Sequence, residues 1–191
     1  MIFKETRQLI KEDLAALAQP TLRSFIYFWR HKATFRLLTC LRILSCLKGF
    51  KAWKPVYGLI CTYYRHLSYI TGVQIDIGAK IGGGICFPHH SCIIINGLAK
   101  IGKNVVIFQG VTVGGMRGKG VPNIGDNVVL ASGSKIIGKV KIGNNVFVGA
   151  NAVVTKDIED NAVVAGVPAH VLNHKGPEYV RLYIRDKTND K

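Results

Sequence analysis

The chain has 191 residues, enough for one compact domain with a helical extension. Lys and Arg outnumber Asp and Glu by 26 to 11, and the formal net charge of +15 predicts attraction to an anionic molecule or surface. The excess is uneven, since residues 1–70 carry 12 of the basic and 3 of the acidic side chains.

The apolar residues and the cysteines argue against a membrane-spanning or exported protein. The uncharged run 55–64 is far shorter than the about 20 apolar residues of a spanning helix, and the N-terminus does not have the pattern of an export signal. Five scattered cysteines without a CxxC pair are typical of a reduced protein whose thiols are mostly buried. We therefore expect a cytoplasmic protein. The basic N-terminal region suggests the further hypothesis of peripheral contact with an anionic membrane face.

Residues 1–70 have the apolar spacing of α-helices. The periodic leucines are Leu9, Leu14 and Leu17, and then Leu37, Leu38, Leu41, Leu44 and Leu47. Pro20, Gly49 and Pro55 are expected to divide the region into about three helices.

From Ile75 onward, aliphatic residues recur every six positions. They are Ile75, Ile81, Phe87 and Ile93, then Ile101, Ile107 and Val113, and then Ile124, Leu130, Ile136, Ile142, Val148 and Val154. A period of six fits neither an α-helix nor the period-two strands of a β-sandwich, but it fits a triangular β-solenoid in which three units complete a coil. Gly residues and Asn104, Asn127 and Asn145 would form corners with positive φ. About five coils fit over residues 71–172, with helices of residues 1–70 capping the open end and a C-terminal tail at 173–191.

The series is interrupted twice. A two-residue offset follows Ile93, and eleven residues instead of six separate Val113 from Ile124. The second interruption predicts that residues 114–123, which are rich in Gly and contain Arg117 and Lys119, leave the solenoid as a functional loop.

Three motifs resemble those of bacterial serine acetyltransferases. They are Ile81–Ile85 followed by Pro88-His89, the run Gln109–Gly115, and Ala165–Ala169. The resemblance covers residues 65–172. It implies a left-handed parallel β-helix, a homotrimer that binds acetyl-CoA between neighbouring subunits, and direct acetyl transfer to a hydroxyl without a metal or a covalent enzyme intermediate.

The resemblance also implies roles for single residues. The family's catalytic histidine corresponds to His89, and its backbone contacts to the pantetheine arm correspond to Gly115, Ser132 and Ala150. The acid that orients the histidine corresponds to Gln74, with Asp76 two residues further on.

Two further departures fall on the amino-acid acceptor site. Pro88 stands where the family has an aspartate that holds serine, and Gly120-Val121 replaces an Arg-His pair. Such losses are similar to those of relatives in capsule and exopolysaccharide gene clusters, which acetylate sugar hydroxyls. The sequence therefore favours a saccharide acceptor in surface polysaccharide biosynthesis over L-serine.

The chemistry needs a base for the hydroxyl proton, and a neutral imidazole suits this role at cellular pH. His89 is the expected base, with Gln74, Asp76 or a backbone carbonyl as its partner. Because adjacent residues of a strand point to opposite faces, we expect only one of the two histidines to face the cleft, with His90 and Pro88 lining the substrate site.

The oxyanion that forms from the thioester needs hydrogen-bond donors, and the phosphates of CoA need cations. Backbone N–H groups at Gly114 and Gly115 would stabilise the oxyanion. The expected phosphate-binding cations of CoA are Arg117, Lys119, Lys135, Lys139, Lys141 and Lys156.

Other classes of function fit less well. A γ-type carbonic anhydrase needs three zinc-binding histidines, whereas the repeat offers two adjacent ones. A nucleic-acid-binding module would present aromatic side chains among the basic ones on one face, but the N-terminal aromatics have helical spacing, typical of a core. An acyl-cysteine intermediate on Cys86 or Cys92 is disfavoured because nothing in the sequence would lower the pKa of either thiol.

Overall fold

The computed structural model describes residues 2–185. Four N-terminal helices precede a β-solenoid, and a short fifth helix follows it. The helices are α1 (Ile2–Ala15), α2 (Leu22–His31), α3 (Ala33–Leu47), α4 (Lys54–Thr71) and α5 (Gly176–Arg181), with a single 3-10 turn at Lys51–Trp53 before α4. Within the described residues, no helix is both long and apolar enough to cross a bilayer.

The strands form three faces of a triangular prism. The first face is β1 (Val73–Ile75), β3 (Ile93–Ile95), β6 (Thr112–Gly114), β9 (Lys135–Ile137) and β12 (Val153–Val154). The second face is β2 (Lys80–Ile81), β4 (Lys100–Ile101), β7 (Asn123–Ile124) and β10 (Lys141–Ile142). The third face is β5 (Val106–Ile107), β8 (Val129–Leu130), β11 (Phe147–Val148), β13 (Val163–Ala165) and β14 (His170–Asn173). All pairs are parallel except β13–β14, so the prediction of a mainly β parallel solenoid of about five coils is confirmed.

Inward-pointing side chains of the strands stack on their equivalents in the next coil. Ile81, Ile101, Ile124 and Ile142 make one such column on the second face, each at most 8% exposed. Asn104, Asn127 and Asn145 have φ of 53°, 54° and 54° at the corner between the second and third faces, as predicted. Their side-chain amides also donate along the corner, from Asn104 to Asn127 at 3.1 Å and from Asn127 to Asn145 at 3.2 Å.

The register of the first coil differs from the prediction. Ile95, and not Ile93, stands opposite Ile75. The two extra residues therefore lie before Ile93, in the segment Pro88–Cys92. The sequence was ambiguous here because Ile93 and Ile95 both point inward from the same strand, at 0% and 1% exposure.

The N-terminal helices cap the first coil. Leu37, Leu41 and Leu44 of α3 belong to the same buried cluster as Val73 and Ile93 of the solenoid. There are four helices and not three, because Lys32 is extended (φ −124°, ψ 100°) and separates α2 from α3. Pro55 lies in the first turn of α4, where its missing N–H costs nothing.

A buried ion pair stabilises the contact of these helices with each other and with the first coil. Arg42 Nε of α3 lies 3.0 Å from Asp13 Oδ2 of α1, and both side chains are at most 5% exposed. Asp13 Oδ1 also accepts from the backbone N–H groups of Gly84 at 2.9 Å and Ile85 at 3.1 Å. Gly83 beside them has no room for a side chain, because a Cβ there would lie 2.8 Å from Glu12 Cβ. The absence of a side chain at Gly83 thus lets α1 lie directly on the first coil.

Candidate active site

One corner of the prism brings together five of the predicted site residues, which are Pro88, His89, His90, Ser132 and Ala150. We call it the histidine corner, between the third and first faces, and it consists of the segments 88–92, 109–110, 132–133 and 150–151. Backbone hydrogen bonds join the segments coil by coil, from Gly110 N to Ser91 O, Gly133 N to Gln109 O and Asn151 N to Ser132 O, at 2.8–2.9 Å. The two histidines therefore begin a column that continues through Ser132 and Ala150.

The segment 88–92 is held in an unusual backbone conformation. Ser91 and Cys92 have φ of 134° and 52°, in the region that L-residues rarely adopt. The segment lies against the end of α4, where a Cβ on Gly72 would be 3.1 Å from Cys92 N. Strained non-glycine residues of this kind cluster at functional sites.

His90 has a fixed hydrogen-bond partner. Its Nδ1 atom lies 3.0 Å from the carbonyl oxygen of Thr71, the last residue of α4. Carbonyl groups of a last helical turn have no partner within the helix, and they form the negative end of its dipole. Since a carbonyl only accepts, Nδ1 carries the proton, and the Nε2 atom of neutral His90 is left as an acceptor.

His89 is exposed, and its ring packs against that of Phe108, with the centroids 6.3 Å apart and the planes at 39°. Within residues 2–185 its nitrogens make no hydrogen bond. Neither predicted partner reaches it. Asp76 lies after β1, where its Oδ2 accepts from Gly97 N at 3.1 Å, and Gln74 points outward from β1 beside Ile94.

The loop after β6 leaves the solenoid, as the interrupted repeat predicted. Met116 N donates to Gly120 O at 3.1 Å and Lys119 N donates to Met116 O at 2.9 Å, which closes a tight turn with Arg117 exposed. Gly114 and Gly115 lead into this turn at the corner between the first and second faces. Within one chain, Gly115 is therefore at the opposite edge of the first face from Ser132 and Ala150.

The predicted phosphate-binding cations are similarly divided. Lys135 points outward from β9, and its Nζ donates to the carbonyl of Gly110 on the histidine corner. Arg117 and Lys119 are exposed on the loop, and Lys156 is exposed in the last coil. Lys139 and Lys141 lie at the start of the second face, on the same side as the loop.

Sequence reasoning missed three residues of this corner. Phe108 and Tyr183 form an aromatic contact beside His89, with centroids 5.6 Å apart. Gln109 was noted within a motif but was given no role, and its Oε1 is buried without a hydrogen-bond partner among the described residues. A buried acceptor without a partner is uncommon in folded proteins. The aromatic contact could not be foreseen, because it joins residues far apart in sequence.

Comparison with known proteins supports the hexapeptide-repeat fold. The sequence profile of the bacterial transferase hexapeptide family (six repeats) matches residues 122–156. A serine acetyltransferase of Staphylococcus aureus is 43% identical over 111 residues, which cover 56% of this chain and 52% of that protein. The chain thus spans about half the length of the curated relatives that it matches.

Solved structures extend the likeness to the helical region. The soybean serine acetyltransferase apoenzyme superposes with a TM-score of 0.73 at 30% identity, covering 88% of this chain and 69% of that one. A serine acetyltransferase in complex with CoA gives a TM-score of 0.72 at 27% identity, covering 88% and 70%.

The six-residue repeat and the matching profile place the solenoid among hexapeptide-repeat proteins. Within that class, the chain belongs with the serine acetyltransferases, to which it is homologous over the solenoid and similar in structure over the N-terminal cap.

Proposed function

We propose that the protein is an O-acetyltransferase that moves the acetyl group of acetyl-CoA directly to an acceptor hydroxyl. The observation that supports this most is the histidine corner, where His89 begins a column that continues through Ser132 and Ala150. L-serine is the acceptor that the comparisons favour, because the relatives are named for it. This reverses the order expected from the sequence, which placed a saccharide first.

In the proposed reaction, a nitrogen of His89 takes the hydroxyl proton as the oxygen attacks the thioester carbon. The C–S bond then breaks, and the proton passes to the CoA thiolate as the ester forms. General base catalysis of this kind contributes about 10²–10⁴-fold. Gly114 and Gly115 are proposed as oxyanion donors, and His90 Nε2 and Gln109 Oε1 as acceptors for the substrate hydroxyl or amine.

A saccharide hydroxyl is the second candidate acceptor, in surface polysaccharide biosynthesis. Three positions motivate it, since Gln74, Pro88 and Val121 offer no carboxylate or cation to an amino acid. A binding site for a zwitterion needs such charged partners when it is desolvated.

An acceptor screen tests the proposal. Purified protein is given acetyl-CoA and a thiol reagent, with L-serine, nucleotide sugars or oligosaccharides as acceptors. Serine-dependent thiol release supports the first candidate, and release only with sugars supports the second. No release with any acceptor above the His89→Ala background contradicts the transferase proposal. A metal assay on the active protein checks the expectation that no metal is needed.

We propose a homotrimer as the working assembly. Gly115 and the basic loop lie at one edge of the first face, and the histidine corner lies at the other. Contact between unlike edges of neighbouring copies would bring them together, as a closed ring requires. Light scattering after size exclusion measures the assembly, and an active monomer would contradict it.

We also propose that the protein is cytoplasmic and that it contacts anionic lipid through its N-terminal helices. Residues 14–75 contain no Asp or Glu and nine Lys or Arg residues. Within this stretch the 3-10 turn and α4 expose apolar side chains at every third or fourth position. These are Phe50, Trp53, Val56, Leu59 and Tyr63. Basic helices with exposed aromatic residues suit an anionic membrane surface.

Vesicle cosedimentation tests the lipid proposal. Binding to vesicles with anionic lipid, but not to zwitterionic ones, is expected, and Leu59→Glu should abolish it. Lys103→Gln, at an exposed solenoid corner, lowers the net charge by the same single unit and is the control. No binding at moderate salt, or equal loss in both variants, would contradict a specific surface on α4.

A further inference from the structure

The C-terminal segment returns across the outside of the solenoid to the histidine corner. Val180 of α5 packs on Val106 and Val129 of the third face. Beyond α5, Arg185 donates from Nη1 to the carbonyl of Ala15 at 3.3 Å. Residues 176–185 therefore run from the last coils back to the first coil and the helical cap.

Aromatic rings follow this path without a break. Tyr179 packs on Phe147 at 5.4 Å between centroids, Phe147 on Tyr183 at 5.7 Å, and Tyr183 on Phe108 at 5.6 Å. Phe108 in turn meets His89 at 6.3 Å. Tyr183 approaches Phe108 edge-on, at 89° between the planes, which is a favoured geometry for aromatic pairs.

We infer that Phe108 is a positioning residue for His89, and that Tyr183 of the C-terminal segment holds Phe108 in place. The inference rests on the proposed role of His89 as the base. The C-terminal segment would then help to orient the catalytic base at the histidine corner.

The first argument is that no hydrogen bond restrains His89 in the described part of the chain. Its nitrogens make no hydrogen bond within the described residues, and Gln74 and Asp76 do not reach it. A catalytic ring must be held within a narrow range of angles, since a misplacement of about 1 Å can cost 100-fold in rate. Among the aromatic rings of the described residues, that of Phe108 is the one that pairs with the imidazole.

The second argument is electrostatic. When His89 takes the hydroxyl proton, its ring becomes a cation. An aromatic ring attracts a cation within about 6 Å of its centroid, and the 6.3 Å between the two ring centroids lies just beyond this distance, where the attraction is weak. Phe108 therefore gives the imidazolium a weak attraction, and not the ion pair that a carboxylate at position 74 would give.

The third argument concerns Phe108 itself. Its side chain is only half-buried, so the strand alone does not enclose it. Tyr183 covers its other edge, and α5 anchors Tyr183 through Val180, which is 4% exposed. The orientation of the base therefore depends on a segment more than 70 residues away in sequence.

Four variants test the inference. Phe108→Leu keeps an apolar side chain but removes the ring, and Tyr183→Leu removes the ring that supports Phe108. Tyr183→Phe keeps that ring. Tyr179→Leu is the matched control, because Tyr179 packs on Phe147 and does not contact Phe108.

We expect kcat to fall roughly 5- to 50-fold in Phe108→Leu and by a smaller factor in Tyr183→Leu, with the KM for acetyl-CoA within about twofold of wild type. Tyr183→Phe and Tyr179→Leu should keep kcat within about twofold. Full kcat in Phe108→Leu would overturn the inference. So would an equal loss in Tyr179→Leu and Tyr183→Leu, which would indicate a general effect on packing.

A second readout does not depend on activity. The ring of Phe108 shifts the proton NMR signals of the His89 imidazole, and this shift should disappear in Phe108→Leu, change in Tyr183→Leu and persist in Tyr179→Leu. Unchanged signals in Phe108→Leu contradict the contact. If the signals change as expected but no acceptor is acetylated, the proposed function fails while the contact stands.

Discussion

The Nδ1 atom of His90 lies 3.0 Å from the carbonyl oxygen of Thr71, at the end of α4. The interaction fixes the tautomer of His90, whereas the neighbouring His89 packs against Phe108 and makes no hydrogen bond within residues 2–185. The two adjacent histidines therefore suit different roles. His90 is a fixed acceptor at Nε2, and His89 is free to take and release a proton.

Substitutions at His90 separate anchoring from substrate binding. Asn at this position keeps a donor near Nδ1 but has no group at the Nε2 position, and Ala removes both. We expect the KM for the acceptor to rise about tenfold in both variants, because each variant loses the hydrogen bond from the substrate to Nε2. The change in kcat should be smaller. Steady-state kinetics with varied acceptor measures this. Wild-type kinetics in His90→Asn would mean that His90 only anchors the turn to α4.

The ion pair of Asp13 and Arg42 should dominate the stability of the helical cap. Removing one partner of a buried pair costs about 3–5 kcal/mol in the free energy of unfolding. Burial raises the pKa of Asp13, against the opposing effects of Arg42 and two backbone N–H groups. In Arg42→Met, Asp13 can therefore become neutral by taking a proton, whereas Arg42 in Asp13→Ala stays charged.

We therefore expect Asp13→Ala to be less stable than Arg42→Met in urea denaturation. The control is Glu159→Ala, which breaks an exposed contact to His174 and should change stability by less than about 1 kcal/mol. Equal stability of Asp13→Ala and wild type would show that the pair does not hold the cap.

Cys92 should be the first cysteine to react with a bulky maleimide. It is exposed two residues from His90, whereas Cys40 and Cys46 are buried and burial raises the pKa of Cys86. Modification should abolish acetyl transfer by blocking the histidine corner, and acetyl-CoA should slow it. Mass spectrometry locates the adduct. Cys92→Ala should remain active and resist inactivation, and an inactive Cys92→Ala would revive the acyl-cysteine mechanism.

High pH should weaken the fold through a buried thiol. Burial raises the pKa of Cys40 from 9.0 to about 11, and it raises the pKa of the Tyr64 hydroxyl as well. Between pH 9 and about pH 11, the Cys40 thiol loses its proton in the unfolded chain but keeps it in the folded chain. Stability is therefore present in full below pH 9 and declines toward pH 11.

A pKa shift of this size at Cys40 corresponds to a loss of roughly 2–3 kcal/mol in the free energy of unfolding at high pH. Urea denaturation from pH 8 to 11 measures the decline, and Cys40→Ala should make it shallower. A slope unchanged by Cys40→Ala would mean that other groups cause the decline.

The parts of the fold that could be predicted are those that repeat. The six-residue period identifies the coils because every coil buries the same inward position. Asn127 and Asn145 could be assigned to corners because Asn tolerates positive φ, and the structure gives both residues a positive φ. The exit of the loop after Val113 follows from the same count. Repetition makes each of these predictions independent of any single residue.

The unrepeated contacts could not be predicted. The Asp13–Arg42 pair joins two helices, and the contacts of His90 with Thr71 and of Phe108 with Tyr183 join the solenoid to segments outside the repeat. No periodic pattern relates such partners. Asp76 was an ambiguous candidate for the same reason, since its carboxylate could be assigned to Gly97 only from the coordinates.

The most direct test of the account compares purified His89→Ala with wild type for acetyl-CoA cleavage in the presence of L-serine. We predict a loss of about 10²–10⁴-fold in kcat, with the same CoA affinity and the same assembly as wild type. Activity in His89→Ala within a few-fold of wild type, or an equal loss of kcat in His90→Ala alone, would contradict the assignment of His89 as the base.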